Sequence, residues 1–320
     1  MSWKYALALL PPLLAPLGAQ AQDFPTKPVT LVVPYAPGGS SDIMGRSLAQ
    51  KLSEMWKQPV VVENKPGATT TVGTAYTAKQ PADGYTMMIA PPPFIITQHV
   101  YPDLPYSTDK SFDPVSLVAY YPLVLVVNAD LPIKTMKELV EYARKNPGLT
   151  YPSPGAGTTP HLIGEMLAQQ EKLDLVHVPY KSGGQGVVDL VAGRLQFYAG
   201  VPTEVMPNIK AGKLRPIAVL APTRSAQLPD VPTSTEAGFP FLKAQSWTTV
   251  VVPKGTPKAI VDKMSADIAK VTADPELRGR MMPQGAVFVG STPAELAQFY
   301  KDEDARFGPL VKAIGLKPDK

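Results

Sequence analysis

Apolar, β-branched runs recur along the chain at Val29–Val33, Val60–Val62, Tyr85–Ala90, Leu123–Val127, Val176–Val178, Ile217–Leu220 and Thr248–Val252. Short runs of this kind predict buried strands, and a further strand is expected near Leu149–Pro152. Between them the apolar period changes to three and four. Met44, Leu48, Leu52 and Met55 follow the first run, and Ile163, Met166 and Leu167 follow Leu149–Pro152; each set forms one helix face. Strand and helix in alternation predict an α/β fold of parallel sheets with helices on both sides. The tail carries two amphipathic helices, one through Ile260, Met264, Ile268 and Val271, the other through Leu296, Phe299, Tyr300, Glu303 and Phe307. Both are expected to pack back on the N-terminal domain.

Proline punctuates this pattern. Most of the 37 fall at predicted element edges, among them Pro34, Pro37, Pro59, Pro66, Pro81, Pro147, Pro179, Pro253 and Pro257, where they close strands and open turns. No repeat, low-complexity linker or long charge run interrupts the chain. Lys4, the apolar stretch Tyr5–Leu17 and Ala19-Gln20-Ala21 have the layout of a secretory signal peptide cleaved after Ala21. Pro11, Pro12 and Pro16 speak against a buried helix there. Removing residues 1–21 leaves 299 of 320, more than one core usually serves. Two domains without a linker are expected to be joined by strands crossing between them, near Val115–Val124 and Ala244–Val250, as a hinge. The expected lobes are residues 22–122 plus 245–320, and 123–244.

Composition narrows the function. There is no cysteine, so neither disulfides nor thiolate metal sites are available, and no lipid anchor follows the cleavage site. The net charge of +4 becomes +3 without Lys4, and its scattered lysines and arginines give no nucleic-acid footprint. No later stretch approaches the roughly 18 apolar residues of a membrane helix. A soluble, exported protein is expected, monomeric and cofactor-free.

The chemistry concentrates where predicted strands end. Val33-Pro34-Tyr35-Ala36-Pro37-Gly38-Gly39-Ser40-Ser41-Asp42 is a strand, a glycine turn and a helix start. Glycines admit close backbone approach, serines cap or bind through hydroxyls, and the first helical N–H groups with the dipole behind them form an anion site. One such turn is usually an ordinary cap. A second, Ser153-Pro154-Gly155-Ala156-Gly157-Thr158-Thr159-Pro160-His161, and a third, Tyr180-Lys181-Ser182-Gly183-Gly184-Gln185-Gly186, carry the same chemistry. Ligands of open α/β sheets sit beyond the strands' carboxyl ends, so turns from two lobes can face each other across a cleft and hold a small carboxylate. Each charge-assisted hydrogen bond contributes about 1.5–3 kcal/mol, and several suffice for micromolar affinity, about −8 kcal/mol.

Seven segments in order resemble the Bug family, the solute receptors of tripartite tricarboxylate transporters. They are Pro37–Asp42, Val60-Val61-Val62-Glu63-Asn64-Lys65-Pro66-Gly67-Ala68, Asp83-Gly84-Tyr85-Thr86, Gly155–His161, His177-Val178-Pro179-Tyr180-Lys181, Ile209-Lys210-Ala211-Gly212-Lys213-Leu214-Arg215 and Pro229-Asp230-Val231-Pro232-Thr233. The resemblance covers the mature chain. It implies a periplasmic binding-protein fold of type II, with two lobes, each a central sheet flanked by helices, and a two-strand hinge. It also implies that the first turn and Gly155–His161 hold one ligand carboxylate. Its partners would be a small carboxylate and transporter membrane subunits, or a sensor-kinase ectodomain reading the same closure.

Two departures bear on the ligand. The family often has Phe-Asp where this chain has Ala199-Gly200, which is expected to strip a carboxylate from the pocket wall and cost an amino-acid ammonium its partner. Pro91-Pro92-Pro93-Phe94 replaces small polar residues; with Tyr35 it would form a flat apolar slot suited to an aromatic or long aliphatic acid.

The expected ligand-binding set is therefore Tyr35, Pro37, Gly38, Gly39, Ser40, Ser41, Asp42, Pro92, Phe94, Gly157, Thr158, Thr159, His161, Tyr180, Ser182, Gly183, Ala199 and Gly200. Asp42 caps its own helix or touches ligand, the cap being favoured, and Arg46 is expected to pair with it. His99, His161 and His177 lack metal-site spacing and acidic companions, so no metal site is expected. His161 is placed at a helix start near the pocket, or serves the fold, while His177 is structural. No G-x-S-x-G elbow surrounds Ser40 or Ser41, which leaves a secreted hydrolase as the weaker alternative, with no catalytic residue assigned.

Overall fold

The structure is a computed structural model that describes residues 24–317; the signal-peptide segment lies outside the described residues. Strand β1 (Val29–Val33), helix α1 (Ser40–Trp56), β2 (Val60–Asn64), α2 (Thr71–Ala78), β3 (Thr86–Ala90) and α3 (Pro93–Ile96) come first. β4 (Phe112–Pro122) leads into β5 (Val124–Asn128), then α4 (Met136–Lys145), β6 (Leu149–Ser153), α5 (Thr159–Glu171), β7 (Leu175–Pro179), α6 (Gly183–Val191), β8 (Phe197–Gly200), α7 (Pro202–Lys210) and β9 (Leu214–Val219). β10 (Gln245–Pro253) returns, followed by α8 (Lys258–Ala273), α9 (Pro275–Met281), β11 (Val287–Phe288) and α10 (Pro293–Ile314).

The first lobe is a six-stranded sheet in the order β11-β4-β10-β3-β1-β2. The second combines β8-β5-β9 with the pair β6-β7, joined where Gln196 N–H donates to the Thr150 carbonyl at 3.1 Å. β1, β2 and β3 are parallel, as are β6 and β7, but β4, β10 and β11 pair antiparallel, and so do β5, β8 and β9. The expectation of parallel sheets is thus corrected to mixed ones. The cause is the hinge: β4 leaves the first lobe and β10 re-enters it, so they run in opposite senses. Their ladder extends from Pro253↔Phe112 to Gln245↔Pro122. It continues across the junction, where Leu220 N–H donates to the Leu123 carbonyl (2.8 Å) and Ala244 N–H to the Leu220 carbonyl (2.9 Å).

One face of the large sheet carries α1 and α8, whose Met44, Leu48, Leu52, Met264 and Ile268 are fully buried with β1 and β3 side chains. The other carries α3 and α10 over Phe94, Phe112, Trp247 and Leu296. The tail helices do pack on the first lobe, and α10 goes further. Its Phe307 and Val311 join Leu162 of α5 in an apolar cluster spanning both lobes.

The predicted stripe of α1 needs one change. Met55 is 39% exposed, and Trp56 takes the inward position, its Nε1–H donating to Asp267 at 2.8 Å. The buried set Met44, Leu48, Leu52 and Trp56 keeps a four-residue spacing along the row that meets α8, and Met55 lies one position, about 100°, off that row. Leu48→Ala is therefore expected to lower the unfolding free energy by about 2–5 kcal/mol in chemical denaturation. Met55→Ala should cost no more than about 0.5 kcal/mol.

Candidate functional site

The first glycine turn connects β1 to α1. Gly38 has φ +89°, a conformation side chains rarely adopt, and Gly39 occupies the N-cap without any side-chain cap bond. Asp42 braces this turn from behind. Its carboxylate accepts from Gly38 N–H (3.0 Å), Arg46 Nε–H (3.0 Å) and Asn64 Nδ2–H (2.9 Å), while Asn64 also donates to the Tyr35 carbonyl (2.9 Å). Burial works against the charge, but the bonds from Arg46, Gly38 and Asn64 outweigh it and hold Asp42 below the usual carboxylate range. Asp42 lines neither cavity of the cleft, and its carboxylate is engaged by the turn it shapes.

The second turn, from β6 to α5, is braced by histidines. Ser153 Oγ accepts from Gly155 N–H at 3.0 Å and bonds His177 Nε2 at 2.6 Å. Gly157 N–H donates to His161 Nδ1 at 3.3 Å, and the two imidazoles stack with centroids 3.7 Å apart. Burial, together with the neighbouring His161, pushes His177 down to about 3. His161 lies 5% exposed inside the second lobe and lines neither cavity, because its ring is held by His177, Gly157 and Glu165. What this support presents to the cleft is Thr158, again without a side-chain cap bond, and Thr159, whose buried Oγ1 has no hydrogen-bond partner.

The third turn, from β7 to α6, touches the first. Ala36 N–H donates to the Lys181 carbonyl at 3.3 Å. A Cβ on Gly184 would lie 3.0 Å from the Gly38 carbonyl, and one on Gly39 would lie 3.3 Å from Ser182 Cβ. The lobes are therefore closed on each other. Ser182 caps α6 by position only, and its Oγ is buried without a partner.

Three helix starts thus meet at one seam with no side-chain caps; α2, α7 and α8 also lack them, while α4 and α10 carry full capping boxes, Thr135 with Glu138 and Thr292 with Glu295. An acid that the sequence reading missed enters the seam from α7. Glu204 accepts from Ser40 N–H at 3.2 Å and from the Tyr198 hydroxyl at 2.9 Å. It also covers Gly183, where a Cβ would come within 2.3 Å of its Oε2. Burial raises Glu204 above the usual carboxylate range, against the bonds from Ser40 and Tyr198 that favour its charge. The pocket wall has therefore not lost its carboxylate at Ala199-Gly200: α7 returns one a helical turn later. Pro202 followed by Glu204 is a helix-start signal that could have located it.

Two cavities lie in the cleft, on either side of Tyr35. The smaller, about 40 Å³, is walled by Tyr35, Ser40 and Ser41, by Thr158, Thr159 and Glu204, and by Pro91–Pro93. The larger, about 340 Å³, lies between Gly67–Thr70 and Pro154, Gly155, Tyr180 and Lys181. Gly67–Thr70 was not anticipated as part of the site. Ala68, Thr69 and Thr70 hold φ of 42°, 44° and 75°, and the hydroxyls of Thr69, Thr70 and Thr71 are buried without partners. Consecutive left-handed non-glycine residues cost roughly 1–2 kcal/mol each, the kind of strain that marks binding loops. Larger hollows of about 710 and 490 Å³ lie on the first lobe, one against α8 and the start of α10, the other against α3 and the middle of α10. Two helix starts border the first of these hollows: that of α10 is closed by its own capping box, and that of α8 follows Pro257 without a side-chain cap.

Of the other expected residues, Pro92 lines the smaller cavity and Tyr180 the larger. Ser182 and Gly183 lie at the seam. Phe94 turns into the first lobe against Phe112 and Tyr300, with centroids at 5.2 and 5.5 Å, because the helical turn after Pro93 points it at α10. Pro37 and Gly38 face outward, and Gly157 packs toward Ile96 and Val100. Ala199 and Gly200 are buried within β8, where a Cβ on Gly200 would strike Tyr198 and Val205. None of these last five lines either cleft cavity.

Two α/β lobes on a two-strand hinge, with helix starts converging on the seam, define a periplasmic binding-protein fold. Residues 44–316 match the tripartite tricarboxylate transporter family receptor, and the chain belongs to that family, the Bug receptors. It is 39% identical to the UPF0065 protein in the tcbD-tcbE intergenic region of Pseudomonas sp. (strain P51), over 92% of this chain and 88% of that one. Among solved structures, the periplasmic binding protein BugD is 32% identical with a TM-score of 0.89, covering 92% of this chain and all of that one. An R. palustris protein with adipate is 34% identical with a TM-score of 0.89, covering 93% of this chain and all of that one.

The histidine support makes a pH prediction. His177 is neutral in the fold but takes a proton below about pH 6.5 once unfolded. The unfolded chain thus binds more protons between pH 6.5 and about 3, and stability falls as pH drops through that window, by at most about 1.4 kcal/mol per unit. Thermal unfolding of His177→Asn should show a shallower decline there than the unaltered protein.

Proposed function

We propose that this protein is an extracytoplasmic receptor that binds a small organic carboxylate between its lobes and delivers it to the membrane subunits of a tripartite tricarboxylate-type transporter. The observation that carries this reading is the buried, unpartnered hydroxyl of Thr159 at the uncapped start of α5, facing the start of α1 across one cavity. A buried hydroxyl without a partner is costly; a carboxylate there would accept from it and from the helix-start amides, with both dipoles favouring its charge. The family, and an adipate-bearing relative at 34% identity, support the same class of guest.

The ligand's hydrocarbon body would run along Tyr35 and Pro92 toward the larger cavity, a path open to aliphatic and aromatic acids. A cavity of about 40 Å³ holds little more than water, so entry requires the lobes to part. Ligand would then shift the population back to the closed form that the transporter reads. The lobes taken here are residues 22–122 plus 245–320 and 123–244, hinged at β4 and β10. Among the described residues no helix is long and apolar enough to cross a membrane. Export by a signal peptide cleaved after Ala21 would place the receptor in the periplasm, where the family's structural neighbours belong. Binding without turnover follows from the family's role as solute receptors.

Thr159→Val keeps the shape and removes the hydroxyl. Calorimetry with the best carboxylate from a thermal-shift screen is expected to show Kd rising about 10- to 150-fold, the loss of one charge-assisted bond. The ligand-free melting temperature should be unchanged or higher. Unchanged affinity would sink the assignment.

A further inference from the structure

The carboxylate of Glu204 sits where a bound anion would. It accepts from the first amide of α1 at Ser40 and from the Tyr198 hydroxyl, and it lies against Gly183 at the start of α6, at a distance only glycine permits. Beside it the N-cap hydroxyl of Ser182, 2% exposed, has no partner. Glu204 and Tyr198 belong to the second lobe and Ser40 to the first, so the chain's own acid bridges the seam. The acid is not consumed by a salt bridge. Among the described residues no lysine or arginine is paired with it, and the groups facing it are Ser40, Tyr198, Gly183 and Tyr35.

We propose that Glu204 determines which charges the cleft accepts, because it occupies the anion seat formed by α1 and α6 and leaves the ligand's carboxylate the seat at α5. This rests on the receptor reading above and names the guest more closely. A second carboxylate reaching the α1 end would be set against Glu204 inside a closed, poorly hydrated seam, where like charges repel strongly. A hydroxyl or an ammonium reaching it would instead donate to the lone pairs that Ser40 and Tyr198 leave free, since a carboxylate offers about four acceptor positions. The favoured class is a monocarboxylate with a neutral or cationic hydrogen-bond donor at its far end. Simple dicarboxylates are disfavoured by the same charge.

The test is calorimetry on the mature chain with linear diacids of four to eight carbons, each beside its ω-hydroxy and ω-amino monoacid. The unaltered protein is expected to bind the best donor-ended monoacid about tenfold or more tightly than the diacid of equal length. Glu204→Gln and Glu204→Ser are expected to shift that ratio toward the diacid by about tenfold. Preference for the diacid in the unaltered protein, or a ratio moved less than about twofold by either folded variant, overturns the inference and leaves the receptor reading standing. Failure of every acid to bind the unaltered protein overturns both. Should neither variant fold, the ratio in the unaltered protein decides alone.

Discussion

An N–H at the start of a helix has no partner inside that helix, and this structure is organised around three such starts left without side-chain caps at one seam. α1, α5 and α6 each follow a strand and a glycine-containing turn, so the donors and the positive ends of three dipoles arrive together. The surrounding architecture holds those starts in place. Asp42, Arg46 and Asn64 fix the first turn from one side, and Ser153, His161 and His177 fix the second from the other. The polar groups that do this face away from the cleft, so the helix starts themselves face the seam, where Glu204 already engages Ser40 N–H.

The hinge gives this arrangement its second property. Because β4 and β10 are one continuous hydrogen-bonded ribbon between the lobes, the two sets of helix starts can separate without breaking a sheet. The cluster of Ile96, Leu162, Phe307 and Val311 adds a second contact between lobes, so opening must also part or shear that apolar patch. Closure is then balanced among a flexible ribbon, an apolar contact and the seam itself. A carboxylate at the seam, whether carried by Glu204 or by a guest, tips the balance toward the closed form.

Much of this was legible in the sequence because it is local. Strand runs, the two tail helices, the glycine turns and even the crossing strands follow from periodicity and turn chemistry within a few residues of one another. What escaped depends on distant pairing. Glu204 meets Ser40 across 164 positions, and nothing near either residue announces the other. Met55 was placed on the wrong side of its helix, and the packing of Phe94 against Phe112 and Tyr300 went unread, because an apolar run says that burial occurs, not against which neighbour. β11, two residues long, is too short to carry a period, and the threonines after Gly67 look like an ordinary loop until their left-handed backbone is seen. Asp42 and His161 support the turns in which they were expected, and the sequence left both roles open, since a side chain that supports a turn and one that serves a ligand occupy the same stretch.

The central claim is that helix starts from opposing lobes converge on one carboxylate-bearing guest. Amide chemical-shift mapping of the isotope-labelled mature protein, titrated with its best-binding acid, tests it directly. The largest saturable shifts should fall on Ser40, Ser41, Thr159 and Ser182 together, with matched midpoints. Shifts confined to one lobe, or centred on the hollows beside α8 and α10, would contradict it.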